Sequence, residues 1–176
     1  MHATLEGVMK QMLNLWFDSK NHQRPFYLSN SINIDKILLN TKFPSEFPRT
    51  QRSISTYYVY KANEMRNLLF YSLIYVLKDK LKKDYFDHLI LFILFIRILT
   101  KDKINDTDIR VSMFLIENFI KKFEILYGIE NMSYNLHSHL HLSEQCFNFG
   151  PLNKLSCFAF EGFYNCCLDH TFEPRF

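Results

Sequence analysis

Glycine and proline are scarce, four and five respectively in 176 residues. So few breaks leave long uninterrupted stretches, which favours helices and excludes a many-turned β architecture. A long hydrophobic run is also missing. The most apolar stretch, Leu89 to Ile96 (LILFILFI), stops at Arg97, whereas a membrane-spanning helix needs about 20 apolar residues. It reads as a buried core helix, and no membrane partner is expected. The first fifteen residues carry Glu6 and Lys10 inside their apolar pattern and lack the basic-then-apolar layout of a signal peptide. Cys146, Cys157, Cys166 and Cys167 show neither metal-ligand pairing nor the regular spacing of a disulfide framework, so reduced intracellular thiols are the expectation. No single sign of charge dominates: 21 basic and 18 acidic residues are well mixed and leave a net +3, too little for the field that announces nucleic-acid binding. There is no Gly-rich phosphate loop, no GxSxG elbow and no nucleophile with an evident base nearby.

What is present is packing volume. Hydrophobic residues make up 48% of the chain, with 18 phenylalanines and ten tyrosines, enough to bury a real core in one domain and to exclude a disordered tail. Residues 2–18 place Leu5, Val8, Met9, Met12, Leu13, Leu15 and Trp16 at helical spacing. A short helix is predicted over Ser31 to Leu39 behind a serine cap. Lys42 to Ser55 (KFPSEFPRTQRSIS) has two prolines and no periodicity and reads as a loop, with regular structure resuming near Tyr57. Lys61 to Leu77 carries a stripe of Met65, Leu68, Leu69, Ser72, Leu73, Val76 and Leu77. Asp84 is the expected cap of a helix running to Thr100. A third long helix is predicted from Asp106 or Thr107 to Gly128, with Ile109, Met113, Ile116, Phe119, Ile120 and Phe123 facing inward. Ser133 can cap a last helix that carries His137, His139 and His141 and ends at Gly150-Pro151.

Few residues suggest chemistry. Histidines four apart share a helical face, so His137 and His141 could bind one metal or brace one site, and His139 points elsewhere. No glutamate follows the first histidine, so the zinc-protease motif HExxH is absent. The alternative is that these histidines hold helices together. Glu161 stands between Phe160 and Gly162, either at a helix start or held in a site. Arg49 and Arg52 in the loop are weak candidates for DNA phosphate, since solvent or backbone carbonyls are the more ordinary partners of lone loop arginines.

The strings taken together resemble a family. MHATLEGVMKQMLNLWF resembles the helix DxMHxxLxGVxKxLLxLWF of transposase-derived proteins related to CACTA (EnSpm) elements, PSEFPRTQRSI resembles their loop PxxxxRxxRSL, and YKANEMRNLLFY is similar to their KAxEWRxFLLY. MSYNLHSHLHLSEQCFNFGPL resembles MxYNxHxLxHLxxxVxxxGPL, with His137 and His141 on the family's two histidines. CFAFEGFYN resembles SAFPFExFNGKLK and puts Glu161 on the family glutamate. Their order along the chain also agrees, and the resemblance spans residues 1–165.

Such proteins use a ribonuclease-H-like DDE core in which two aspartates and a glutamate hold two divalent ions for in-line phosphodiester transfer. The resemblance implies a mainly α fold: an irregular multi-helix domain corresponding to the helical insertion and C-terminal edge of that core, with few or no strands. It implies one domain, with an insertion-like region 1–130, the histidine and glutamate motifs in 131–165 and a divergent tail 166–176. Glu161 is the candidate third acid, which would hold Mg2+ or Mn2+ in the intact family. His2, on the histidine of the family's C/DxxH motif, would join His137 and His141 in a structural cluster, with zinc a candidate occupant. No aspartate of this chain stands in a strand-like context that could supply the missing pair. The expectation is therefore a truncated, catalytically inactive fragment of a DNA transposase, needing no cofactor on its own and nuclear by family. A domesticated helical module that binds DNA or a protein is the alternative, and a metal-binding helical protein a third. A fragment lacking its core is expected to self-associate through exposed apolar surface, including the N-terminal helix and the region around Phe158 to Phe163.

Overall fold

The computed structural model describes residues 2–29, 31–41 and 51–154, and within them the backbone is mainly helical with no strand. Helix α1 (Lys10–Phe17) continues a wide-turned stretch, Ala3–Met9, and stops where Asp18 turns extended and caps the Lys20 N–H. Helix α2 (Ser31–Asn40) buries Ile34 and Leu38. A 3₁₀ segment, Ile54–Val59, precedes α3 (Ala62–Asn67), a second wide-turned stretch (Leu68–Ser72) and α4 (Leu73–Leu77), which form one continuous rod. The long helices α5 (Lys83–Leu99) and α6 (Asp106–Tyr127) follow. The described chain then closes with α7 (Tyr134–Ser138), a 3₁₀ turn (His139–His141) and α8 (Leu142–Phe149).

The two wide-turned stretches have a sequence cause. Their buried residues recur in pairs exactly four apart: Thr4 and Leu5, Val8 and Met9, Met12 and Leu13 in the first; Leu68 and Leu69, Ser72 and Leu73, Val76 and Leu77 in the second. At 100° per residue a four-residue repeat drifts by about 40° per turn, so a regular α-helix would carry the stripe off the core. A wider turn holds it in place. At the second site the Leu73 N–H donates to the Leu68 carbonyl, five residues back.

The centre is aromatic. Helices α5 and α6 pack antiparallel, with Tyr85 against Tyr127, His88 between Phe119 and Phe123, and Phe92 stacked on Phe119 at 4.9 Å. Trp16 Nε1 donates to the Tyr127 hydroxyl at 3.1 Å, which fixes the N-terminal helix on this pair. Burial pushes the Tyr127 phenol well above its ordinary range, so it stays a neutral partner.

Three expectations need correction. The N-terminal helix is not an exposed face: Leu5, Val8, Met9, Met12, Leu13 and Trp16 are fully buried, because α3, α7 and the Ile54–Val59 turn surround it. Asp84 does not cap α5; Lys82 occupies that position without a side-chain bond, and Asp84 lies in the first turn, favourable to the helix dipole. Met113 is 42% exposed, since Ser112 takes the inward position and its hydroxyl meets that of Ser143 at 2.8 Å, drawing α8 close. The start of α6 is set by Asn105, whose side chain accepts from the Asp108 N–H while Asp108 bonds back to the Asn105 N–H. Gly128 and Gly150, at φ +91° and +92°, end α6 and α8 as the sequence predicts.

Candidate functional site

Thr4, Gly7 and Gln11 lie on one stripe of the N-terminal helix and meet the segment 131–139, joining the two ends of the described chain. Gln11 Nε2 donates to the Asn131 carbonyl at 2.5 Å, and the Ser133 hydroxyl donates to Gln11 Oε1 at 2.7 Å while capping α7 through the Leu136 N–H. A Cβ on Gly7 would stand 2.8 Å from Asn135 Nδ2, so the absence of a side chain there is what lets α7 approach. His139 completes the seam, buried beside Phe92 and Phe95.

The bonds of His139 fix its tautomer. Its Nδ1–H donates to the Asn135 carbonyl at 2.5 Å, which leaves Nε2 to accept from the Thr4 hydroxyl at 3.1 Å. Burial lowers its pKa to about 4, outweighing the Asn135 bond that would raise it, so the ring is neutral near pH 7 with both nitrogens occupied. It is a brace, with no nitrogen free to ligate a metal or move a proton.

His137 and His141 face the other way. Both are exposed, with ring centroids 5.8 Å apart and tilted by 76°, and neither ring is hydrogen-bonded to a described residue. Because His139–His141 is a tight 3₁₀ turn, the pair does not sit at regular i,i+4 α-helical geometry. His2 is exposed too, and among the described residues no three His, Cys, Asp or Glu side chains converge into a group that could hold a metal ion. Glu161 and Arg49 lie outside the described residues, as does the Phe158 to Phe163 region.

Arg52 is committed within the fold. Its guanidinium forms a bidentate pair with Glu64, Nε to Oε1 at 2.7 Å and a terminal nitrogen to Oε2 at 2.9 Å. It also donates to the Val59 carbonyl and lies over the Tyr60 ring. Glu64 is only 2% exposed and accepts the Lys61 N–H as well, so the pair clamps the Ile54–Val59 turn to the start of α3. Asp35 adds to this by accepting from the Ser53 hydroxyl and the Ile54 N–H, tying in α2.

Sequence reasoning passed over His88 and set His139 aside. The signal for His88 was its place on the buried stripe of the most apolar helix, between Tyr85 and Phe92. Its Nε2 reaches the Phe119 carbonyl at 2.9 Å, its Nδ1 has no hydrogen-bond partner among the described residues, and burial lowers its pKa to about 4. Among the described residues, an open groove of about 470 Å³ lies between α6 and α8, lined by Asp106, Ile109, Arg110, Met113, Glu144 and Phe147. No described helix is long and apolar enough to cross a membrane. Compared with protein-family models, curated proteins and solved structures, the chain matches none.

Proposed function

We propose that these residues are the helical part of a DDE transposase-type protein, and that on their own they do not cut DNA. The observation that carries the reading is which positions of the resembling strings touch. Gly7 and Asn135 are positions the two strings share with the family, 128 residues apart by subtraction (135 − 7), and the first has room only because it is glycine against the second. Arg52 and Glu64 are likewise shared positions of two further strings, and they form the bidentate ion pair. Matched residues that depend on one another in space support common ancestry more strongly than matched letters do. In this reading Glu161 is the one acid of the triad that the chain supplies, DNA is the partner of the whole protein, and the nucleus is where it acts.

Two measurements test the reading. Sequence flanking the coding region is expected to hold, intact or decayed, a segment with two strand-borne aspartates; flanks with nothing of the kind would remove the family assignment. Purified protein with Mg2+ or Mn2+ is expected to leave supercoiled plasmid intact, and metal-dependent nicking that disappears in Glu161→Ala would overturn the claim of inactivity. A second reading, a non-catalytic module that binds protein, is favoured by the groove between α6 and α8.

A further inference from the structure

We infer that the outer face of the rod formed by α3, the Leu68–Ser72 turn and α4 binds a single-stranded nucleic acid, stacking unpaired bases on Tyr71 and Tyr75 and holding phosphates with Arg66, Lys78 and Arg97. This does not rest on the transposase reading: a chain that binds no strand still stands as part of such a protein, and one that binds is not thereby a transposase. The wide turn decides which residues point out. It keeps the pairs Leu68 and Leu69, Ser72 and Leu73, Val76 and Leu77 on the core side, so the positions between them recur outward at the same spacing of four. Tyr71 and Tyr75 occupy those positions and are 60% and 71% exposed, and Lys78 follows them, also exposed. Arg66 lies over the Phe70 ring at 5.7 Å, Phe70 meets Tyr71 with ring centroids 6.5 Å apart, and the Arg97 guanidinium donates to the Phe70 carbonyl from α5. The three cations and two tyrosines therefore share one surface, about 18 Å long from Arg66 to Lys78 at about 1.5 Å per residue.

Charge and ring chemistry decide the occupant. Residues 65–78 and 88–101 contain no aspartate or glutamate, and Arg66, Lys78 and Arg97 have no ion-pair partner among the described residues. A face with cations from two helices, and no acid along either contributing stretch, suits a polyanion. Exposed tyrosines one turn apart add flat π-surfaces, on which bases stack without regard to sequence. In a duplex the bases are already stacked on one another and leave the rings nothing to hold, so the strand is single. An acidic peptide meets the cations but offers the rings no flat partner.

Fluorescence anisotropy of the whole chain with labelled oligothymidine and oligouridine of about 20 nucleotides, which separate DNA from RNA as the source, provides the test. Binding to at least one is expected in roughly the micromolar range at low salt, weakening with salt at a log–log slope of about −2, from three phosphate contacts at about 0.7 each. Tyr75→Ala is expected to weaken binding about five-fold or more with the slope unchanged, and Tyr75→Phe, which keeps the ring, to bind as the wild type does. Lys78→Gln is expected to weaken binding and to flatten the slope by about 0.7. Absence of binding to either strand, undiminished binding by Tyr75→Ala, or a duplex or polyglutamate that competes as well as the strand itself would overturn the inference. Should Tyr75→Ala lose the wild-type circular dichroism, Tyr71→Ala takes its place and must weaken binding, and undiminished binding by it counts against this surface.

Discussion

Acid should unfold this protein through two buried histidines before its carboxylates matter. His88 and His139 are neutral in the fold, with pKa values lowered to about 4 chiefly by burial, against about 6.5 for an unfolded chain. Between these values the unfolded state binds more protons, so stability is full above about pH 6.5, falls as the pH drops, and levels off below about pH 4. Integrated from pH 7 to pH 5, each histidine costs about 2 kcal/mol, or about 4 kcal/mol for the two. That is a large share of the 5–15 kcal/mol typical of a domain, roughly speaking. The bonds of His139 sharpen the point, since protonating Nε2 puts a second donor against the Thr4 hydroxyl that now donates to it. Asp108, held below its ordinary range first by the Lys101 hydrogen bond, loses its contribution only as the pH falls past the carboxylate range, outside this window. The assay is urea unfolding at pH 7 and pH 5 for the wild-type chain, His88→Gln, His139→Gln and the double variant. The single variants are expected to be less stable at pH 7 yet to lose about 2 kcal/mol less between the two pH values, and the double variant to show almost no dependence. A wild-type difference that persists undiminished in the double variant would refute the reasoning.

Two further outcomes follow from the contacts. Gly7→Ala should cost about 1–3 kcal/mol by driving a methyl group into Asn135, and adding Asn135→Ala should recover part of it; a thermal midpoint unchanged by Gly7→Ala would show that α7 shifts freely. Arg52→Ala strands the buried Glu64 carboxylate and should cost about 2 kcal/mol. Arg52→Lys should recover little of that, because an ammonium cannot reproduce the two-pronged bond, and chemical denaturation of the three proteins side by side checks both statements.

The repeat of apolar residues was legible in the letters, and with it the helices, because periodicity is a local property of the chain. Gly128 and Gly150 were equally readable as stops, since a positive φ is tolerated by few other residues. The four-residue spacing of Leu5, Met9 and Leu13 and of Leu69, Leu73 and Leu77 even carried the wide turns, although it reads at first as an ordinary stripe. Tertiary structure decided everything that depends on which side of a helix meets which neighbour. It turned Met113 outward in favour of Ser112, because only a small hydroxyl lets α8 approach. It gave Arg52 to Glu64, and it buried His139 while leaving His137 and His141 in solvent. A histidine is the same residue in both settings; whether it braces or faces solvent depends on burial by distant residues such as Phe92 and Phe95 and on a bond to Thr4, 135 positions away.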